Sequence, residues 1–308
     1  MKQLHIPVMV TEVIRELDIK PNGIYIDCTL GLAGHSIAIS KATTPQPRII
    51  GLEVDEEAIA QAKINVKNNM ANIKILKESF LNLESTIQAN ITASGVDGVL
   101  IDLGISSLQL NSAKKGFSFK MNSPLDMRFD TQEKLTAEYI VNNYSFKKLY
   151  QILKTFGEEK SAKNIATHII NSRPIKTTLQ LSQIIINVKG ENKRKLLHPA
   201  TKTFQALRIA VNQELERLPT VLNSATKILR SGGRLVIISY HSLEDRIVKN
   251  FIGHETSKCI CDPKIPVCVC QHKPRLKTTG KNFYKPTNEE INRNFSSRSA
   301  ILRVAEKL

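Results

Sequence analysis

The run Asp27-Cys-Thr-Leu-Gly-Leu-Ala-Gly-His-Ser36 holds the residues best placed to do chemistry. It follows the strand-like Gly23-Ile-Tyr-Ile26 and opens a helical stretch at His35. A second strand, Arg48-Ile-Ile-Gly-Leu52, runs into Glu53-Val-Asp55. A small-residue turn lets backbone approach a ligand, and an acid after the next strand can accept both hydroxyls of a ribose. Gly34 and Asp55 are separated by the roughly 20 residues expected of such a pair. Gly31 and Gly34 would equally serve a plain strand-ending turn. The turn lacks the full G-x-G-x-x-G spacing of a pyrophosphate cradle. A nucleoside cofactor without phosphates therefore fits better than a dinucleotide, and S-adenosylmethionine is the obvious one.

Four other groups stand out. Asp102 closes a strand-like run from Asp97, at the carboxyl end where open α/β sheets bind ligands. His241 directly precedes a helix start, which favours a positioning or structural role over a catalytic one. Ser242-Leu-Glu-Asp245 reads as a capping box, with Asp245 reaching back to the helix start. Cys259-x-Cys261 and Cys268-x-Cys270 form a compact set of four thiols, with Cys28 apart. Four thiolates can hold zinc, but C-x-C is tighter than the usual zinc-ligand spacing. The reading adopted is reduced thiols in a basic loop with no metal, zinc being the alternative; a cytosolic chain argues against a disulfide.

These groups need a scaffold. The chain of 308 residues allows one large or two ordinary domains. No apolar run approaches a membrane span, and the N-terminal residues lack a signal core, so the expected compartment is the cytoplasm, without membrane association. The net charge of +16 is unevenly spread: −3 over 1–110, +11 over 111–213, +2 over 214–253 and +6 over 254–308. Positive charge confined to two segments points to a nucleic-acid partner. Stacking on bases would fall to residues such as Phe117, Phe119, Tyr144 or Tyr284.

Strand-like and helix-like stretches alternate over the first hundred residues. Strands are read at 23–27, 48–53, 72–77 and 97–102, with helices beginning at His35, Glu56 and Leu83, the last running to Ala93. This implies a parallel sheet covered on both faces. Helices then follow without a strand: 136–144, 146–156, 161–172, 178–188 and 199–218. Alternation resumes with a strand at Gly233–Tyr240, a helix from Ser242 and a last strand at Ser299–Val304. The expected organisation is an α/β Rossmann-like core, residues 1–110 and 214–308 with a basic tail from about 254, interrupted by an all-helical substrate-recognition domain at 111–213.

Several motifs match one family: His5-Ile-Pro-Val, Tyr25-Ile-Asp-Cys-Thr-Leu-Gly31 with Gly34-His-Ser, and Asp102-Leu-Gly-Ile-Ser-Ser with Gln109-Leu. Others are Lys115-Gly-Phe-Ser-Phe119, Pro124-Leu-Asp-Met-Arg128, His198-Pro-Ala-Thr-Lys-Thr-Phe-Gln-Ala-Leu-Arg208, Ile238-Ser-Tyr-His-Ser-Leu-Glu-Asp-Arg246 and Ser296-Ser-Arg-Ser-Ala-Ile-Leu-Arg303. From His5 to Arg303 the chain closely resembles the RsmH, or MraW, family of bacterial 16S rRNA (cytosine-N4)-methyltransferases. The resemblance implies a class I S-adenosyl-L-methionine methyltransferase core with an inserted helical domain. Its implied substrate is the exocyclic N4 of a cytidine in the decoding region of 16S rRNA; the distributed basic charge favours the assembled small ribosomal subunit over free rRNA, and a homodimer is left open.

By position, the implied cofactor contacts are Ala33, Gly34 and His35, then Asp55, Phe80, Asp102 and Gln109. Glu53 is an alternative ribose acceptor, and Asp102 is the catalytic candidate. The family's usual glycine is Ala33 here, which should tighten the space against the ligand. Leu108 replaces a usual proline and Asn111 a usual aspartate, leaving that loop less rigid. Two other readings stand beside this one. A nonenzymatic RNA-binding assembly factor is opposed by Asp55 and the intact turn, and a nicotinamide-dependent oxidoreductase by the missing glycine pattern.

Overall fold

The central strands read as unbroken apolar runs because alternate side chains enter two separate cores. A computed structural model of the protein describes residues 6–91, 95–190, 197–262, 264 and 267–308. The expected motif start at His5, and the part of the expected fourth helix at residues 92–93, lie outside them. The order begins α1 (Val10–Leu17), β1 (Ile24–Asp27), α2 (Gly34–Ser40), β2 (Arg48–Glu53), α3 (Glu56–Asn69) and β3 (Ile73–Lys77). A 3-10 turn at Phe80–Asn82, α4 (Leu83–Asn90) and β4 (Val96–Asp102) follow. Next come α5 (Ser107–Asn111), α6 (Ala137–Asn143), α7 (Phe146–Gly157), α8 (Ala162–Asn171), α9 (Thr178–Lys189), α10 (Thr201–Asn212) and α11 (Glu214–Ile228). The chain continues through β5 (Leu229–Ser239), α12 (Ser242–Thr256), β6 (Leu276–Thr278), α13 (Asn288–Arg293), a second 3-10 turn at Phe295–Ser299, and β7 (Ile301–Lys307).

The chain divides into two compact units, 1–104 with 217–308, and 105–216. The first holds one sheet in the order β3-β2-β1-β4-β5-β7-β6. Strands β1 to β5 run parallel, while β7 is antiparallel to β5 and β6. Ile26, Val99, Ile101, Leu235 and Ile237 pack on one face with α4 and α12 residues such as Leu83, Ile87 and Val248. Tyr25, Leu100, Val236 and Ile238 pack on the other with Val13 and Leu17 of α1. Each such side chain contributes about 1.5–3 kcal/mol on burial, so the sheet's two faces supply this unit's main stabilisation. From β1 the chain steps to β2 and β3, then returns to β4 on β1's other side. The carboxyl ends of β1 and β4 thus flank the point where the winding reverses, the place where open α/β sheets bind ligands.

The second unit is helical. Its core gathers Ile140 and Val141 of α6, Leu149 and Leu153 of α7, Ile165 and Ile169 of α8, Leu181 and Ile185 of α9, and Phe204 and Leu207 of α10. No helix among the described residues is long and apolar enough to cross a membrane.

The expected helix over 199–218 is two helices. Gln213 adopts a left-handed conformation, φ 51°, and ends α10. The break is held by Asn212, whose side chain donates to the Met127 carbonyl and accepts from the Phe129 amide. A bidentate Arg208–Glu214 pair spans it, both contacts at 2.9 Å. Such long-range anchors leave no trace in local periodicity. The last strand starts at Ile301, because residues 295–299 turn tightly before it.

The capping box of α12 is displaced by one residue from its expected place. His241 is the cap: its Nδ1 accepts from the Glu244 amide, and Glu244 Oε2 accepts from the His241 and Tyr240 amides. An imidazole acceptor does here what the Ser242 hydroxyl was expected to do. Asp245 instead forms a bidentate pair with Arg303 of β7, at 2.6 and 3.0 Å. Arg303 is only 8% exposed, so Arg303→Ala leaves a half-buried carboxylate unmatched and should cost about 3 kcal/mol. Urea unfolding should show this loss, and adding Asp245→Asn should recover most of it.

Candidate active site

Four acids from three adjacent strands mark the carboxyl edge of the sheet. Asp27 ends β1, Glu53 ends β2 with Asp55 just beyond, and Asp102 ends β4. Asp27 is 2% exposed. Its carboxylate accepts from the Ser36 hydroxyl at 2.7 Å and the Thr29 amide at 3.2 Å. Burial holds the Asp27 carboxyl above its ordinary range, opposed by the charge of His35 and by these two hydrogen bonds.

Glu53 is engaged by main chain on both sides. Oε2 accepts from the Gly31 amide at 2.9 Å, while Oε1 accepts from the amides of Val54 and Asp55 at 2.9 and 3.0 Å. One half-buried side chain thus ties the turn after β1 to the chain leaving β2. Burial raises its pKa even against these donors. Asp55 caps α3, accepting from the Glu57 amide at 3.1 Å, and is 5% exposed.

Within the turn, Gly31 and Ala33 take positive φ, 51° and 66°. Ala33 is fully buried and its methyl packs with Leu30 and Ala62. The methyl is therefore part of a small core cluster. The left-handed conformation costs alanine about 1 kcal/mol, which this packing offsets. Gly34 is required by a neighbour: a Cβ there would lie 2.6 Å from Pro7 Cγ.

His35 links the turn to β4. Its Nε2 donates to the Val8 carbonyl at 2.8 Å, and its Nδ1 faces Asp102 Oδ2 at 3.7 Å. The Asp102 amide donates to the Thr29 hydroxyl at 2.7 Å, and Oδ1 accepts weakly from the Gly104 amide at 3.4 Å. Tyr240, at the end of β5, completes the group. Burial pushes its phenol well above the ordinary value, and the hydrogen-bonded Asp102 carboxylate pushes it further. Gly104 lies against this ring, where a Cβ would come 2.8 Å from Tyr240 Cε2.

The structure thus brings Ala33, Gly34, His35 and Asp102 together, with Asp55 connected to them through Glu53. Phe80 follows β3 and packs on the core beside the same sheet edge. Gln109 belongs to the helical unit, where it closes a capping box on α5 with Ser106 and is 7% exposed; this box orders the start of the segment expected to be less rigid. Tyr240 escaped the sequence reading. Its signal was present, a polar aromatic ending a buried strand, but its pairing with Asp102 depends on β4–β5 register. Of the aromatics weighed for base stacking, Phe117 is buried against Phe129, and Phe119 stacks on His198 at 4.3 Å. Tyr144 is half-buried with Lys148 Nζ 5.4 Å from its ring centre, and Tyr284 lies under Arg15.

The strand order, the antiparallel β7 and the acid-lined edge at the winding reversal define a Rossmann-like methyltransferase core. The model of the MraW methylase family matches residues 2–308, and the chain belongs to that family. It is 47% identical over 309 residues to the ribosomal RNA small subunit methyltransferase H of Halothermothrix orenii, covering 99% of this chain and 98% of that one. The proteins of the same name from Dehalococcoides mccartyi and Clostridioides difficile are 45% and 42% identical over 304 and 308 residues. Each alignment covers 99% of this chain, and 86% and 99% of the respective relative.

The buried Asp27 gives a pH-dependent prediction. Its folded-state pKa is raised, so its contribution to stability falls as pH rises from near 3.8 through the folded value. Asparagine can keep both bonds, accepting from Thr29 and donating to Ser36. Asp27→Asn should therefore gain stability relative to the wild type between about pH 4 and about pH 8, read by urea unfolding at both.

Proposed function

We propose that this protein uses S-adenosyl-L-methionine to methylate the exocyclic N4 of a cytidine in the decoding region of 16S rRNA. The observation that carries the cofactor reading is the convergence of Asp27, Glu53, Asp55 and Asp102 on one sheet edge. A ligand with a positive sulfonium and no phosphates suits that edge, whereas a pyrophosphate would meet carboxylates. The donor set fits as well. Glu53 is engaged by three amides, which favours Asp55 as the acceptor of the ribose hydroxyls. Main chain at Ala33, Gly34 and His35 would contact the methionine moiety, and Phe80 would pack on adenine. For Gln109 the family resemblance alone supports a cofactor contact. The names of the relatives support a small-subunit rRNA substrate, and so does the positive charge of residues 111–213 and 254–308.

The bound cofactor supplies an electrophilic methyl group. Cytosine N4 is a weak nucleophile because its lone pair is delocalised into the ring. The protein must align the amine and accept a hydrogen bond from its N–H, so that the nitrogen can pyramidalise. Asp102 is the group for this role. Gly104, His35 and Tyr240 orient its carboxylate, and Tyr240 also covers it from the β5 side. An assembled small subunit is the preferred substrate, since a distributed basic surface gains most from several separated phosphate contacts.

The test is transfer of labelled methyl from S-adenosylmethionine to small subunits lacking the modification. Label should be recovered as N4-methylcytidine; label at another atom overturns the acceptor assignment. Asp55→Ala should weaken cofactor binding about 100-fold, the worth of two charge-assisted hydrogen bonds. This is measurable by calorimetry, and unchanged affinity would remove Asp55 from the site. Asp102→Asn should lower kcat by about 100-fold or more while cofactor affinity changes little. Loss of affinity at constant kcat would make Asp102 a binding group only.

A further inference from the structure

Cys259, Cys261, Cys268 and Cys270 occupy the loop between α12 and β6 and take no part in the site above. Their sulfurs converge. Cys259 Sγ lies 3.4 Å from Cys268 Sγ and 3.9 Å from Cys270 Sγ. Cys268 Sγ lies 3.6 Å from Cys270 Sγ and 4.0 Å from Cys261 Sγ. All four fall within 4.8 Å of one another. Thiolates placed tetrahedrally around zinc at about 2.3 Å stand roughly 3.8 Å apart, so the four are already spaced as a coordination shell.

The tight C-x-C spacing, which weighed against metal in the sequence, has a simple geometry. In an extended arm, residues i and i+2 point to one side. Each arm therefore presents two thiols together and turns its middle residue outward. Ile260 and Val269, the middle residues, are 45% and 68% exposed. The amides of Ile260, Cys261 and Val269 point at Cys270, Cys259 and Cys261 sulfurs at 3.4–3.5 Å, an arrangement that stabilises thiolates.

Packing does not account for the convergence. None of the four cysteines is buried, and Val267 at the loop tip is 70% exposed. Thiols are weak hydrogen-bonding groups, and disulfides would explain pairs but not a four-way cluster. The loop root is secured separately. His272 Nε2 donates to the His254 carbonyl at 3.0 Å, the Arg275 amide donates to the Glu255 carbonyl at 2.9 Å, and Arg275 Nε pairs with the Glu255 carboxylate.

We propose that Cys259, Cys261, Cys268 and Cys270 bind one Zn²⁺ as a structural site that fastens this loop. With four protein ligands the ion keeps no open position for water or substrate, so its role is architectural. The site is independent of the methyl-transfer reading, and its test does not use activity.

The untagged full-length protein, purified under reductant without chelator, should contain about one zinc per chain by plasma mass spectrometry. X-ray absorption should show four sulfur neighbours. Cobalt should replace zinc with an intense thiolate charge-transfer band. The Cys259→Ser, Cys268→Ser chain should lose the metal, and Cys28→Ser should keep it. Because the double variant could lose its loop structure, the wild type gives a second readout. Titration with an organomercurial should release the zinc as about four thiols react. Absence of zinc and cobalt binding in the reduced wild type overturns the proposal. So does two disulfides in the protein purified without reductant, or zinc retained by the double variant.

Discussion

The hydrogen-bonded carboxylate of Glu53 is the constraint on which the candidate site depends. The turn after β1 and the chain leaving β2 start from paired strands and share the Leu30–Leu52 backbone hydrogen bond, and beyond it Glu53 joins them. One side chain bridges them through three amides. Ionising a carboxylate drawn away from water is unfavourable, and the three donors offset part of that cost. The same principle recurs at Asp27, where Ser36 and Thr29 supply the donors. The turn is thus shaped by its hydrogen bonds to acids as much as by its glycines.

Around that constraint, charge is partitioned along the chain. The residues that build the sheet edge are acidic, and those of the helical segment and the tail are basic. A cationic cofactor and a polyanionic substrate call for opposite fields, and separate stretches of sequence provide them. Tyr240 and His241 show how finely the edge is built. One touches Asp102 and the next caps α12, so two consecutive residues serve the site and the helix that follows it.

Much of this was legible in the residues. The strands at 48–53 and 97–102 and the helix at 56–69 carry their own signals: apolar runs bounded by polar ends, and an aspartate at a helix start. The acids and the turn were recognisable for similar reasons. What stayed hidden depends on partners distant in sequence. Nothing near Gln213 announces that Asn212 is held by Met127 and Phe129. Nothing near Asp245 distinguishes a cap from a partner of Arg303. The direction of the Ala33 methyl follows from a positive φ, which residue type alone would argue against. The true cap, His241, was missed because hydroxyl and carboxylate caps dominate expectation, although an imidazole nitrogen can accept the same bond.

The position of β7 has a consequence for how the protein is made. It enters the sheet between β5 and β6, and among the described residues β6 has no other strand partner. The last strand in chain order is therefore an interior one, and the sheet cannot close while the earlier residues wait for it. Until residues 301–307 emerge, β5 presents a long apolar edge, a template for wrong pairing. A nascent chain would need that edge shielded, and a chain cut short before Ile301 would never lose it.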